Sequence, residues 1–85
     1  MFYVYILICV DKKFYIGFTS DLKKRIFQHK NGEVLSTKPR LSVRLVFYEA
    51  YLDKYDALRR EKYLKTDKGK TTLKSMLREF LSKQK

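Results

Sequence analysis

The stretch Phe2-Tyr3-Val4-Tyr5-Ile6-Leu7-Ile8-Cys9, then Val10-Asp11-Lys12-Lys13, then Phe14-Tyr15-Ile16-Gly17-Phe18 reads as a β-hairpin. Both flanks are rich in β-branched and aromatic residues, which suit a pleated, half-buried surface. The polar Asp11-Lys12-Lys13 between them suits a turn. Side chains alternate along a strand, so Tyr3 and Tyr5 share one face of the first strand, and Tyr15 and Gly17 share one face of the second. Loop length decides whether those two faces coincide. A two-residue Asp11-Lys12 loop puts Tyr5 and Tyr15 on opposite faces. A three-residue Val10-Asp11-Lys12 loop, or a bulge, puts them together. Taken singly, an aromatic strand residue is most often core, and Gly17 also fits a bulge or a twist site.

Downstream, Thr19, Ser20 or Asp21 offers a cap for a helix predicted over about 21–30, stopping at Asn31-Gly32. Its apolar stripe is Leu22, Ile26 and Phe27. Residues 33–41 hold Ser, Thr, Lys and the only Pro, and read as a basic loop. Residues 43–52 read as a third strand. That strand is apolar on both parities (Val43, Leu45, Phe47; Val46, Tyr48, Ala50), which predicts cover on both faces. Asp53 caps a helix predicted to about residue 65, which Asp67-Lys68-Gly69 interrupts. Leu73, Met76, Leu77, Phe80 and Leu81 then follow a helical period. The expected order is β-β-α-β-α-α, an α/β (α+β) fold. One small three-stranded mixed or antiparallel sheet is flanked by helices in a single domain over residues 1–85.

Of the 85 residues, 45% are hydrophobic and 15% aromatic, which excludes a disordered chain. Seven Tyr and six Phe help a short chain fill its thin core. Twenty Lys and Arg against nine Asp and Glu give a formal charge of +11, a field that gathers polyanions, nucleic acid first among them. The plainer alternative is a solvated basic surface or association with the ribosome. The lone cysteine, Cys9, excludes an internal disulfide or a cysteine zinc site and reads as a small buried hydrophobe. The longest apolar run, residues 2–10, is too short to span a bilayer and lacks a basic leader. A cytoplasmic protein with no membrane association is expected.

Two helices carry polar groups where apolar ones are expected. Each residue advances about 100° on a helical wheel. Ala57, Leu58, Leu64 and Lys65 bracket an arc with Glu61 at its centre, so Glu61 aims at the body of the protein. An ionised carboxylate there needs a metal or an ion-pair partner, and Arg60 and Lys65 are spaced to serve as one. Arg25 and His29 share a face at i, i+4, and His29 lies about 20° from Leu22 on the wheel. The only histidine thus sits at the core edge beside an arginine. Taken alone, such a residue is more often a half-buried histidine with an aromatic neighbour than a working group.

In order, these pieces resemble the GIY-YIG nucleases. Tyr3-Val4-Tyr5, nine residues, then Tyr15-Ile16-Gly17 is similar to that family's paired signature, although the first motif lacks its Gly. Thr19-Ser20-Asp21-Leu22-Lys23-Lys24-Arg25 with His29 resembles its arginine helix. Leu45-Val46-Phe47-Tyr48-Glu49 and Ala57-Leu58-Arg59-Arg60-Glu61 resemble its third strand and glutamate helix. The likeness covers residues 3–65 and is nearest to small single-domain bacterial members. The N-terminal nuclease domain of the excision-repair endonuclease, the excinuclease, is similar but more distant.

The resemblance implies a metal-dependent endonuclease that leaves a 5′ phosphate and a 3′ hydroxyl, with a role in DNA repair among the family's functions. Glu61 falls on the metal-binding glutamate, and one carboxylate suits a single Mg²⁺ or Mn²⁺ ion that keeps its waters. Tyr5 and Tyr15 fall on the hairpin tyrosines, one of which orients or deprotonates the attacking water. Arg25 holds the scissile phosphate. His29 bonds a tyrosine or phosphate, or acts as the base. Gly17 allows close approach of the substrate backbone. Nucleic acid, DNA ahead of RNA, would be gripped by Lys13, Lys23, Lys24, Lys38, Arg40 and the tail lysines. The chain would act as a monomer or weak homodimer, with the apolar stripe of the last helix as a core lid or a dimer face. The alternative is a nucleic-acid-binding module of the same fold that cleaves weakly or not at all.

Overall fold

A computed structural model describes residues 1–84; among the tail lysines, Lys85 lies outside them. The hairpin forms as β1 (Phe2–Ile8) and β2 (Phe14–Thr19). Its turn is the three-residue one. Cys9 N–H donates to Lys13 O at 3.0 Å and Lys12 N–H to Cys9 O at 2.9 Å. Lys12 takes a left-handed φ of 66°, the residue that lets a three-residue hairpin close. Asp11 Oδ1 accepts from Lys13 N at 3.0 Å and fixes the corner. The resulting register pairs Tyr5 with Gly17 and Leu7 with Tyr15, so Tyr5 and Tyr15 face the same way.

Helix α1 (Leu22–Lys30) starts where Asp21 accepts from Lys24 N and stops before Gly32, at φ 72°. Its inward stripe is Leu22, Ile26 and His29. Phe27 departs from the expectation and is exposed, because it lies one residue, about 100°, off that stripe. The basic loop ends in a single 3-10 turn over Lys38–Arg40 and buries Val34 and Thr37 on the way.

β3 (Arg44–Tyr51) completes an antiparallel sheet in the order β2-β1-β3. It is an edge strand, half covered, not the doubly covered strand its composition predicts. Apolar residues occupy both parities because the register shifts between Ile6 and Leu7. Leu45 pairs with Leu7 on one face and Phe47 with Ile6 on the other, with Val46 as the extra residue of a bulge.

Asp53 caps α2 (Lys54–Leu64) through Tyr55 N at 2.8 Å. Thr66 caps α3 (Asp67–Met76), and the axis breaks at Leu77 before the short α4 (Arg78–Ser82). The interruption therefore falls at Lys65-Thr66, ahead of Asp67-Lys68-Gly69. Gly69 sits inside α3 and is buried against the Tyr63 carbonyl and Leu64, so it marks where α3 packs on the end of α2.

Central β1 is buried on both faces and separates two apolar layers. Val4, Ile6 and Ile16 pack with Ala57, Leu64 and Leu73 beneath α2 and α3. Tyr5, Leu7, Cys9 and Val43 pack with Tyr15, Leu22, Ile26 and Leu45 beneath α1. Cys9 is buried, and burial raises its thiol pKa, which makes it a core side chain.

Candidate active site

Four expected residues meet on the α1 face of the sheet. The Tyr5 hydroxyl lies 2.7 Å from His29 Nε2, and Arg25 Nε–H donates to the same hydroxyl at 3.4 Å. The Tyr15 ring stands 5.1 Å from the His29 ring and 6.4 Å from the Tyr5 ring. Arg25 is steadied by donating to Gln28 Oε1 at 3.3 Å, and Ser36 Oγ donates to the Tyr15 hydroxyl at 3.2 Å.

Thr37 completes the cluster from the loop. Its Oγ1 lies 2.8 Å from His29 Nδ1 and 3.4 Å from the Val34 carbonyl. A hydroxyl donating to that carbonyl accepts from Nδ1–H, which leaves Nε2 bare to accept the Tyr5 proton. The local chain then runs in one direction: Arg25 to Tyr5, Tyr5 to His29, His29 to Thr37, Thr37 to Val34. Nothing in the sequence marks Thr37, since a threonine in a polar loop is ordinary. Replacing Thr37 with valine should keep the shape, strand a buried Nδ1–H and cost about 2 kcal/mol in urea unfolding. An unchanged midpoint would show that the bond contributes nothing.

Tyr5 and His29 are fully buried, at 1% and 0% exposure. They lie behind half-buried Tyr15 and Arg25, and of the partners expected for His29 the one it meets is a tyrosine hydroxyl. Burial pushes the Tyr5 phenol up, the charges of Tyr15 and Glu61 add to it, and the Arg25 hydrogen bond and charge pull it back. Tyr5 is therefore a neutral donor at rest. Burial, then the Arg25 charge, lowers His29 to about 4. An unfolded histidine takes up its proton near 6.5, so between those two values the unfolded chain binds the extra proton. The stabilisation from neutral His29 is complete above about pH 6.5 and is lost as pH falls toward 4, about 3 kcal/mol in all. Urea midpoints from pH 7 to pH 5 should fall in the wild type, and less in His29→Gln. Parallel slopes in the two proteins would count against this.

Gly17 has a packing role in the fold. A Cβ there would overlap the Tyr5 ring, so the missing side chain makes room for Tyr5.

Glu61 comes from α2, on the other side of the sheet, and its carboxylate bonds Lys65, not one of the four. Its charge is nevertheless among those that raise Tyr5. The carboxylate is largely covered, with 19% of the side chain exposed, as the wheel predicts. Its one ion-pair partner among the described residues is Lys65 Nζ at 3.1 Å, and that lysine is half exposed. Arg60, the other candidate, grips Glu49 with Nε at 3.0 Å and Nη2 at 3.2 Å. Tyr51 also donates to Glu49, at 2.6 Å, and burial followed by that bond pushes its phenol up to about 12. This Glu49-Arg60-Tyr51 knot, which sequence reading missed, leaves Glu61 to a single flexible lysine.

Among the described residues no cluster of three His, Cys, Asp or Glu side chains could cage a metal. A lone, mostly covered carboxylate with one displaceable partner fits a hard cation that keeps its waters and shares substrate oxygens. Glu61 is thus the residue that could hold such an ion.

Of the expected phosphate contacts, Lys13, Lys23, Lys24 and Lys38 are exposed. Arg40 is spent: its Nε and Nη2 bind Asp11 at 3.1 and 3.5 Å and tie the loop to the hairpin turn.

A sheet with a tyrosine pair on its hairpin, an arginine helix on one face and a glutamate helix on the other defines a nuclease-type fold. The GIY-YIG catalytic domain model matches residues 1–74, and the chain belongs to that family. It is 45% identical over 65 residues to a UPF0213 protein of Lacticaseibacillus paracasei, covering 75% of this chain and 73% of the relative. It is 41% identical over 73 residues to a UPF0213 protein of Staphylococcus saprophyticus, covering 85% and 89%. The solution NMR structure of a UPF0213 protein from Bacillus halodurans superposes with a TM-score of 0.58 at 38% identity, covering 89% of this chain and 85% of that one. No helix among the described residues is long and apolar enough to cross a membrane.

Proposed function

We propose that residues 1–85 form one GIY-YIG nuclease domain that hydrolyses nucleic-acid phosphodiesters with one Mg²⁺ or Mn²⁺ ion. The observation that carries this reading is the hydrogen-bonded chain Arg25-Tyr5-His29-Thr37 beside Tyr15, within electrostatic reach of the Glu61 carboxylate. Glu61 would hold the ion, which when bound polarises the phosphate and stabilises the departing 3′ oxygen. Arg25 offers its guanidinium to the scissile phosphate. Tyr15, the phenol at the surface of the cluster, orients the attacking water. Tyr5 and His29 are positioning residues: they hold Arg25 and Tyr15 in place and keep the site dry behind them.

The Glu61–Lys65 ion pair is the observation that favours a second reading, a binding module with little or no cleavage. Incubation of the chain with branched, nicked and single-stranded DNA and Mg²⁺ or Mn²⁺ separates the two. Cleavage that is lost in Glu61→Ala while binding persists supports the nuclease. Binding without cleavage at any metal concentration supports the module.

A further inference from the structure

A second hollow lies away from the tyrosine cluster. It lies on the opposite face of the sheet, between the hairpin turn and α3, with a volume of about 610 Å³. Lys12 and Lys13 from the turn and Lys70 and Lys74 from α3 line its walls, and Phe14 and Leu81 contribute to its apolar floor. None of these four lysines has a carboxylate partner among the described residues. The one acid of the lining, Asp11, is committed to Arg40. These are uncompensated cations around an apolar, partly aromatic floor.

Charge complementarity narrows the occupant. Free phosphate has no use for the floor, and an apolar ligand has none for the lysines. Duplex DNA keeps its base faces stacked and cannot offer one to Phe14. An unpaired nucleotide strand supplies both a phosphate for the lysines and an open ring for the floor. The volume falls in the range of about 300–1,000 Å³ that encloses small organic ligands. Position agrees: on edge strand β2, Tyr15 points to the site and Phe14 to the hollow, so a strand crossing the β2 edge meets both.

We propose that this hollow is a second, single-strand binding site, taking an unpaired nucleotide of a nucleic acid whose phosphates lie on Lys12, Lys13, Lys70 and Lys74. It rests on the nucleic-acid part of the proposed function, not on catalysis. The test is fluorescence anisotropy of a labelled short thymidine oligonucleotide with the full chain in EDTA, beside a duplex of the same length. Lys70→Ala with Lys74→Ala should weaken single-strand binding about tenfold and reduce the salt slope by about 1, with duplex binding changed less than about twofold. Phe14→Leu, which keeps an apolar floor, should weaken it about fivefold through lost stacking. Lys54→Ala with Lys62→Ala removes the same charge from exposed positions of α2 and should change it less than about twofold. Equal weakening by both double variants, or none by the first, overturns the proposal. Absence of cleavage by a wild type that binds through the hollow removes the nuclease reading alone. Cleavage with binding that ignores the hollow removes this one alone.

Discussion

Glu61→Gln should leave the fold intact and lower metal-dependent cleavage about a thousandfold. The carboxylate's only ion-pair partner among the described residues is Lys65, whose ammonium is half in solvent. Such pairs contribute well under about 1 kcal/mol, so the urea midpoint should hardly move. Glutamine keeps the shape but loses the charge that a hard cation requires. Losing about 4 kcal/mol of metal-derived stabilisation slows the reaction about a thousandfold. Single-turnover cleavage under saturating protein gives the ratio. Lys65→Ala is the companion: with its competitor gone, Glu61 should bind metal at least as well, and cleavage should hold or rise. If Lys65→Ala abolishes cleavage while Glu61→Gln spares it, the carboxylate is structural and Glu61 is not the metal ligand.

Gly17→Ala should cost about 3 kcal/mol of stability and most of the activity. The added methyl would collide with the Tyr5 ring, which is fully buried and held through its hydroxyl by His29 and Arg25. Overpacking of this kind costs about 1–3 kcal/mol, and losing the Tyr5–His29 bond adds about another 1 kcal/mol. Urea unfolding measures the loss. Because the collision is with one side chain, Tyr5→Leu in the Gly17→Ala background should cost less than the two changes summed. Additive costs would mean that Gly17 matters for backbone reasons alone.

Periodicity made the first two helices legible, because α1 and α2 carry an apolar stripe after clear caps at Asp21 and Asp53. The hairpin faces were not, since they hinge on a left-handed Lys12 that composition does not announce. The covering of β3 was misread because a bulge at Val46 switches parity, and parity arguments assume an unbroken ladder. His29 and Glu61 were findable as polar residues on inward arcs. Thr37 was not, because its role depends on a loop folding back beneath α1, and loops carry no period. The division between Tyr15 and Arg25 at the surface and Tyr5 and His29 behind them also needed coordinates, since a motif gives order along the chain and not depth.

Manganese titrated into isotope-labelled protein, followed by paramagnetic broadening of its NMR signals, locates the cation directly. The expected result is broadening centred on Glu61 that spreads to Tyr5 and Tyr15 and disappears in Glu61→Gln. Broadening confined to the exposed Asp53 and Asp56, with Glu61 and the tyrosines sharp, would contradict a metal-assisted site at this cluster.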